Sequence, residues 1–196
     1  MKVIGFSAWS GSGKTTLVER LLVRLREAVQ RVSVVKHAHH DFDIDQPGKD
    51  SWRHRQAGAF EVVIASNRRL AKIREFETPV EPTVHQLIAE LCDCDWVLVE
   101  GFKHADLLKI EVWRASVGKK VNYPDDPFVV AVATDNVSQL PVATQLPVFD
   151  LNDVDSIADF LLATSARYEY KPEPVFDVDA GEAADVVAGR RTAAPA

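Results

Sequence analysis

Ala8-Trp9-Ser10-Gly11-Ser12-Gly13-Lys14-Thr15-Thr16 follows the short apolar run Val3-Ile4-Gly5-Phe6-Ser7 and opens into an amphipathic segment. Strand, glycine-rich loop and helix in that order are the context a phosphate-binding P-loop requires. Gly11 and Gly13 let the backbone fold into a concave nest of N–H groups with no Cβ in the way of a phosphate. The helix behind the loop aims its unpaired N–H groups and positive dipole end at the same anion. Lys14 adds a point charge for the β and γ phosphates, and the Thr15 hydroxyl suits Mg²⁺. Alanine at position 8 replaces the first glycine of the pattern, and a small strand-end residue with negative φ is tolerated there. The competing reading is a glycine-rich turn with a chance lysine.

The composition frames this motif. A chain of 196 residues suits one domain with appendages and buries roughly 70% of its unfolded surface. Apolar content of 46% and charged content of 27% are those of an ordinary globular protein. A formal charge of -6 argues against nonspecific nucleic-acid or anionic-membrane binding. The two cysteines, in Cys92-Asp93-Cys94, build no disulfide framework. That cysteine usage leads to the expectation of a reducing cytoplasm, and with no charged-then-apolar leader and no 18-residue apolar run no membrane span is expected.

Leu17, Val18, Leu21, Leu22, Leu25 and Val29 recur at helical spacing between Thr16 and Gln30. Val32 to Lys36 reads as a buried parallel strand, and a helix follows over Trp52 to Ala57, capped by Asp50 or Ser51. Phe60 to Ala65 and Leu70 to Phe76 read as a hairpin, and Thr83 to Leu91 as a helix. Asp95 to Lys103 contains a buried strand that ends in Glu100-Gly101. Leu108, Ile110 and Val112 alternate with Lys109, Glu111 and Trp113, which predicts a half-exposed antiparallel strand. Phe128 to Thr134 and Pro147 to Asp150 complete the strands, and Asn152 caps a helix through Leu162. The expected fold is α/β, a P-loop NTPase with a mostly parallel sheet flanked by helices and an antiparallel edge or hairpin extension. Residues 1–170 form the nucleotide-binding domain, and 171–196 read as a disordered Ala/Pro-rich tail.

Three constellations carry chemistry. Glu100 closes its strand where a Walker B acid stands, because Mg²⁺ wants oxygen ligands around the Thr15 hydroxyl and the phosphates; a merely salt-bridged glutamate is the alternative. Lys14 and Glu100 are thus the candidate catalytic residues. The loop 37–50 carries His37, His39, His40, Asp41, Asp43, Asp45 and Asp50. It reads either as a switch-like segment near the nucleotide, with Asp41 a candidate metal ligand, or as a transition-metal site with Cys92 and Cys94, or as a plain polar loop. Asp135 ends an apolar strand, where a carboxylate can accept hydrogen bonds from guanine N1–H and N2 and so favour GTP over ATP. A turn-forming Asp-Asn pair is the alternative.

Taken together, the phosphate loop, Val35-Lys36-His37 with His39-His40-Asp41, Asp45 to Ser51 (Asp-Gln-Pro-Gly-Lys-Asp-Ser), and Val99-Glu100-Gly101-Phe102-Lys103 resemble the molybdopterin-guanine dinucleotide biosynthesis protein B (MobB) family over about residues 2–163. The resemblance implies a GTP-binding, weakly GTP-hydrolysing homodimer that uses Mg²⁺. It implies an adapter for the guanylyltransferase (MobA) that attaches GMP to molybdopterin. Carried over, Ser10 to Thr16 hold the phosphates, Glu100 is the Walker B acid, and the 37–51 loop borders nucleotide or pterin. The homodimer is expected to join through Leu70–Phe76 and Leu107–Arg114, read as exposed edge strands.

Two other functions fit the same motifs. A small-molecule kinase would need an arginine-bearing lid, for which Arg53, Arg55, Arg68 and Arg69 are the candidates. A metallochaperone would bind a metal on the histidine loop and release it with GTP.

Overall fold

The computed structural model describes residues 1–38 and 42–172. They fall into two compact units, one comprising Met1–Lys36 with the described residues from Thr83 onward, the other His37–Pro82.

The first unit is built on six strands: β1 (Lys2–Ala8), β2 (Val32–Lys36), β5 (Trp96–Glu100), β6 (Lys109–Trp113), β7 (Val129–Thr134) and β8 (Val148–Asp150). Their spatial order is β2-β5-β1-β6-β7-β8, and every pairing is parallel. The loops leaving β1, β5, β6 and β7 therefore share the C-terminal edge of the sheet, where ligands bind in α/β folds. Alternation along the strands supplies both faces. Ile4, Phe6, Trp96, Leu98, Ile110 and Val112 pack with α1 (Lys14–Glu27) and α4 (Val154–Ala163) through Leu17, Leu21, Leu25, Ile157 and Leu161. Val3, Val35, Val97 and Val99 pack with Val84 and Ile88 of α3 (Val84–Ala89) on the other face. Thr83 and Gln86 close a reciprocal capping box that starts α3.

The second unit contains α2 (Asp50–Gln56) and the antiparallel pair β3 (Glu61–Ala65) and β4 (Leu70–Arg74), with Val63 opposite Lys72. Charge ties this unit together around Arg55. Arg55 forms ion pairs with Asp43, Asp45 and Glu75, and Ser51 Oγ donates to Asp45 Oδ1 at 2.9 Å. The fold is that of a P-loop NTPase, a mostly parallel sheet with flanking helices plus a small antiparallel pair. Among the described residues, no helix is long and apolar enough to cross a membrane.

Four local expectations are corrected. β6 is neither antiparallel nor an edge: it lies between β1 and β7, and all five residues are buried. The charges that read as a solvent face are satisfied internally. Lys109 Nζ donates to the carbonyls of Lys103 (3.0 Å) and Ala105 (2.6 Å) and pairs with Asp126 at 3.0 Å. Glu111 accepts from the amides of Asn122 (2.8 Å) and Tyr123 (2.8 Å) and from the Asn122 side chain (2.6 Å). Burial raises the Glu111 carboxyl above its ordinary value, and these donors work against the rise. Leu107–Arg114 therefore offers no edge for a dimer. β2, in contrast, is an edge strand with Val34 39% exposed. The helix α1 ends at Glu27, and Val29, at φ 60°, turns out into solvent. The residue capping α4 is Asp153, which accepts from the Ser156 amide, while Asn152 donates to Asp150; Lys49 precedes α2 with no side-chain cap.

Candidate functional site

The loop between β1 and α1 adopts the shape its glycines allow. Gly11 and Gly13 stand at φ 83° and 88°, in the left-handed region that side chains strain. Gly13 has a second constraint: a Cβ there would approach the Arg114 guanidinium to 3.3 Å. Gly13 is the N-cap of α1 without a side-chain cap, and the first turn holds no acidic residue. The first N–H groups and the dipole of α1 thus favour an anion, and no acidic residue of the helix's own first turn competes for them. Ser12 Oγ is buried and has no hydrogen-bond partner among the described residues, an orphan that a ligand oxygen would satisfy.

Glu100 meets this loop from the end of β5, in register with Phe6 of β1 and Lys36 of β2. Its Oε1 accepts from Lys14 Nζ at 2.6 Å and from Thr15 Oγ1 at 2.5 Å. Burial pushes its carboxyl up, but the bonds from Lys14 and Thr15 outweigh this and leave it below the ordinary 4.5. A carboxylate and a hydroxyl sharing one point beside a helix N-terminus form a hard-oxygen donor pair of the kind Mg²⁺ takes. The residues fit the ion.

Arg114, immediately after β6, was not singled out from sequence. Its Nε donates to the Ser12 carbonyl at 3.1 Å, and its Nη1 donates to Asp135 Oδ2 at 3.2 Å. It thereby links the phosphate loop to the end of β7. Reading residues just past each parallel strand as candidates would have found it, because that edge is where α/β sites assemble. Asp135 is an exposed residue whose side chain, 32% exposed, is engaged with this arginine.

The structure thus brings together Lys14, Thr15 and Glu100, and, through Arg114, Ser12 and Asp135. His39, His40 and Asp41 lie outside the described residues. Exposed Asp43 and covered Asp45 are both paired with Arg55 in the second unit, and both carboxyls lie below their ordinary values. For Asp43 the Asp45 amide and then Arg55 are the causes. For Asp45 burial opposes the shift, and the bonds from Ser51, Gln46 and Arg55 prevail. Arg55 is committed to those carboxylates, whereas Arg53, Arg68 and Arg69 are exposed. Cys92 and Cys94 are free thiols, and no group of three metal-ligating side chains occurs among the described residues.

Comparison with known proteins adds to this geometry. A family model described as Molybdopterin guanine dinucleotide synthesis protein B matches residues 3–135. The chain is 40% identical over 168 residues to the molybdopterin-guanine dinucleotide biosynthesis adapter protein of Escherichia coli (strain K12), which spans 82% of this chain and 91% of that protein. It is 38% identical over 159 residues to the adapter protein of the same name from Haemophilus influenzae, over 81% of this chain and 86% of the relative. Its fold is similar to the crystal structure of Bacillus subtilis MobB, with a TM-score of 0.64 and 23% identity over 83% of this chain and 97% of that one.

Proposed function

The chain belongs to the molybdopterin guanine dinucleotide synthesis protein B family, and from that premise we propose that it is a GTP-binding adapter with weak GTPase activity in molybdopterin guanine dinucleotide biosynthesis. The observation that carries the nucleotide half is the convergence of Lys14, Thr15 and Glu100 at the N-terminus of α1. Ser10 to Thr16 wrap the phosphates, and Lys14 neutralises the β and γ groups. Thr15 and Glu100 hold Mg²⁺, which spreads the phosphate charge when bound. Asp135 recognises guanine, and Arg114 positions both it and Ser12.

Arg114 is engaged with the Ser12 carbonyl and Asp135, so it acts here in shaping the loop rather than on the transferred phosphoryl group. The adapter half draws on the names of the Escherichia coli and Haemophilus influenzae relatives. In this reading the partner is a MobA-like guanylyltransferase, the shared ligand is molybdopterin or its guanine dinucleotide, and the setting is the cytoplasm.

We also propose a homodimer, now assigned to the hairpin alone. Val63 and Leu70, on one face of the hairpin, are 58% and 69% exposed, and Ile64, on the other, is 43% exposed, apolar surface that pairing would cover. Light scattering on the full chain should give a dimer that Val63→Asp converts to monomer; a monomeric wild type at micromolar concentration contradicts it. The adapter role is tested by titrating a purified guanylyltransferase with this protein loaded with GTP. Enhanced guanylyl transfer to molybdopterin supports the role, and an unchanged rate with no complex formed overturns it.

A further inference from the structure

Beside the phosphate loop, two lysine ammoniums lie over the ring of Trp9. Lys103 Nζ sits 3.4 Å from the centre of the Trp9 ring, and Lys119 Nζ sits 5.8 Å from it. Trp9 is held by its own Nε1, which donates to the Lys120 carbonyl at 2.8 Å. Trp113 Nε1 donates to the neighbouring Lys119 carbonyl at 2.8 Å, so two indoles clamp consecutive residues of one loop.

Lys103 is fixed from the other side. Buried Lys109 donates to the Lys103 and Ala105 carbonyls, shaping the turn that leaves Glu100. Within that turn Gly101 and Phe102 stand at φ 102° and 48°. A bulky residue in the left-handed region is strained, and such strain collects where a side chain must be aimed. The side chain aimed here is that of Lys103, three residues after Glu100.

The charges oppose one another. No carboxylate forms an ion pair with Lys103, Lys119 or Lys120 among the described residues. Burial lowers the affinity of Lys103 for its proton and Lys120 adds to the effect, while Glu111 partly offsets both. Grouped ammoniums in a chain of net charge -6 leave a local positive patch that an anion relieves. Cation–π contact with Trp9 holds Lys103 in place but supplies no counter-charge.

We infer that Lys103 and Lys119 over the Trp9 ring, with Lys120 near enough to Lys103 for their charges to repel, form a second anion site, taking the phosphate or pyrophosphate group of a small ligand other than the P-loop nucleotide. The inference rests on the nucleotide reading only in calling this ligand the second. Trp9 leads directly into Ser10 and the phosphate loop, and Lys103 shares a connection with Glu100. A ligand anchored here therefore lies next to the nucleotide's phosphates, as an adapter that brings two phosphorylated compounds together requires.

Inorganic pyrophosphate is the probe, titrated calorimetrically into the full chain without Mg²⁺. Wild type should bind two equivalents, Lys14→Ala one, and the Lys103→Gln/Lys120→Gln double variant one. The triple combination should bind none. The double variant should lose at least about tenfold in affinity at the second site while its GTP affinity stays within about threefold of wild type. Both substitutions keep the backbone carbonyls that Trp9 and Lys109 engage. A double variant that keeps two equivalents overturns the inference, as does a wild type whose single equivalent is lost in Lys14→Ala. A single equivalent that survives Lys14→Ala but is lost in the double variant sinks the P-loop reading and leaves this one standing.

Discussion

Lys14 and Glu100, 86 residues apart in sequence, meet with Nζ 2.6 Å from Oε1, and both side chains are largely covered. The pair closes the first turn of α1 onto the end of β5. The lysine that would bind phosphate thus pairs with the acid that would hold the metal. Ligand and Mg²⁺ together would let the two charges separate, each to an opposite charge of the ligand. Nucleotide affinity should therefore depend on the metal through Glu100.

Glu100→Gln tests that dependence. In excess Mg²⁺ its GTP affinity should fall about tenfold or more, while Mg²⁺-free affinity should change by less than about threefold. Calorimetry with and without the ion checks it. The same residue sets an acid limit. Its folded carboxyl lies below the ordinary 4.5, so its contribution is complete above that pH and disappears as pH falls through the lower folded value. The stability gap between wild type and Glu100→Gln should be constant near neutrality and shrink below pH 4.5. A gap that widens with acid would be contrary.

Arg114→Ala removes the link from Ser12 to Asp135 without touching a phosphate contact. Two charge-assisted or carbonyl bonds are lost, each worth about 1–2 kcal/mol, and GTP affinity should drop about tenfold. Amide exchange at Ser12 and Gly13 should accelerate in the nucleotide-free protein. Unchanged exchange there would show that the loop does not depend on the arginine.

Glu111→Ala strands the amides of Asn122 and Tyr123 in a buried position. Each orphaned donor costs about 1–3 kcal/mol, so stability should fall by about 2–4 kcal/mol in urea unfolding. Ile110→Asp, next to it in the middle of β6, should fail to fold at all, since Ile110 is completely buried. A folded, monomeric Ile110→Asp would instead restore this segment as a surface.

The contrast between β6 and the phosphate loop shows what sequence could tell. Gly11, Gly13, Lys14 and Thr15 are adjacent, so their joint chemistry was legible, as was Glu100 at the end of an apolar run. The strands β1, β2, β5 and β7 were legible as apolar runs of four to six residues between turn signals. Lys109 and Glu111 misled because their partners, Asp126, Asn122 and Tyr123, come from a loop 11 to 17 residues on. Alternation then mimics a solvent face although every charge is satisfied inside. Arg114 was missed for a similar reason. Its two partners lie 102 residues before it and 21 after it, and only the sheet order brings them together.

Asp135→Asn addresses base choice. The exchange removes the anionic acceptor for guanine's two donors and weakens the pairing with Arg114. Competition binding should show the GTP-over-ATP preference reduced about tenfold or more. An equal ratio in both proteins would assign Asp135 to holding Arg114 alone.

The most direct test of the central claim is calorimetric titration of GTP into wild type and Lys14→Ala, with circular dichroism to verify that both are folded. The lysine's charge-assisted contacts are worth about 1.5–3 kcal/mol, so the variant's affinity should fall about 10- to 100-fold in the presence of Mg²⁺. A folded Lys14→Ala that binds GTP as tightly as wild type would contradict the assignment of this loop as the nucleotide site.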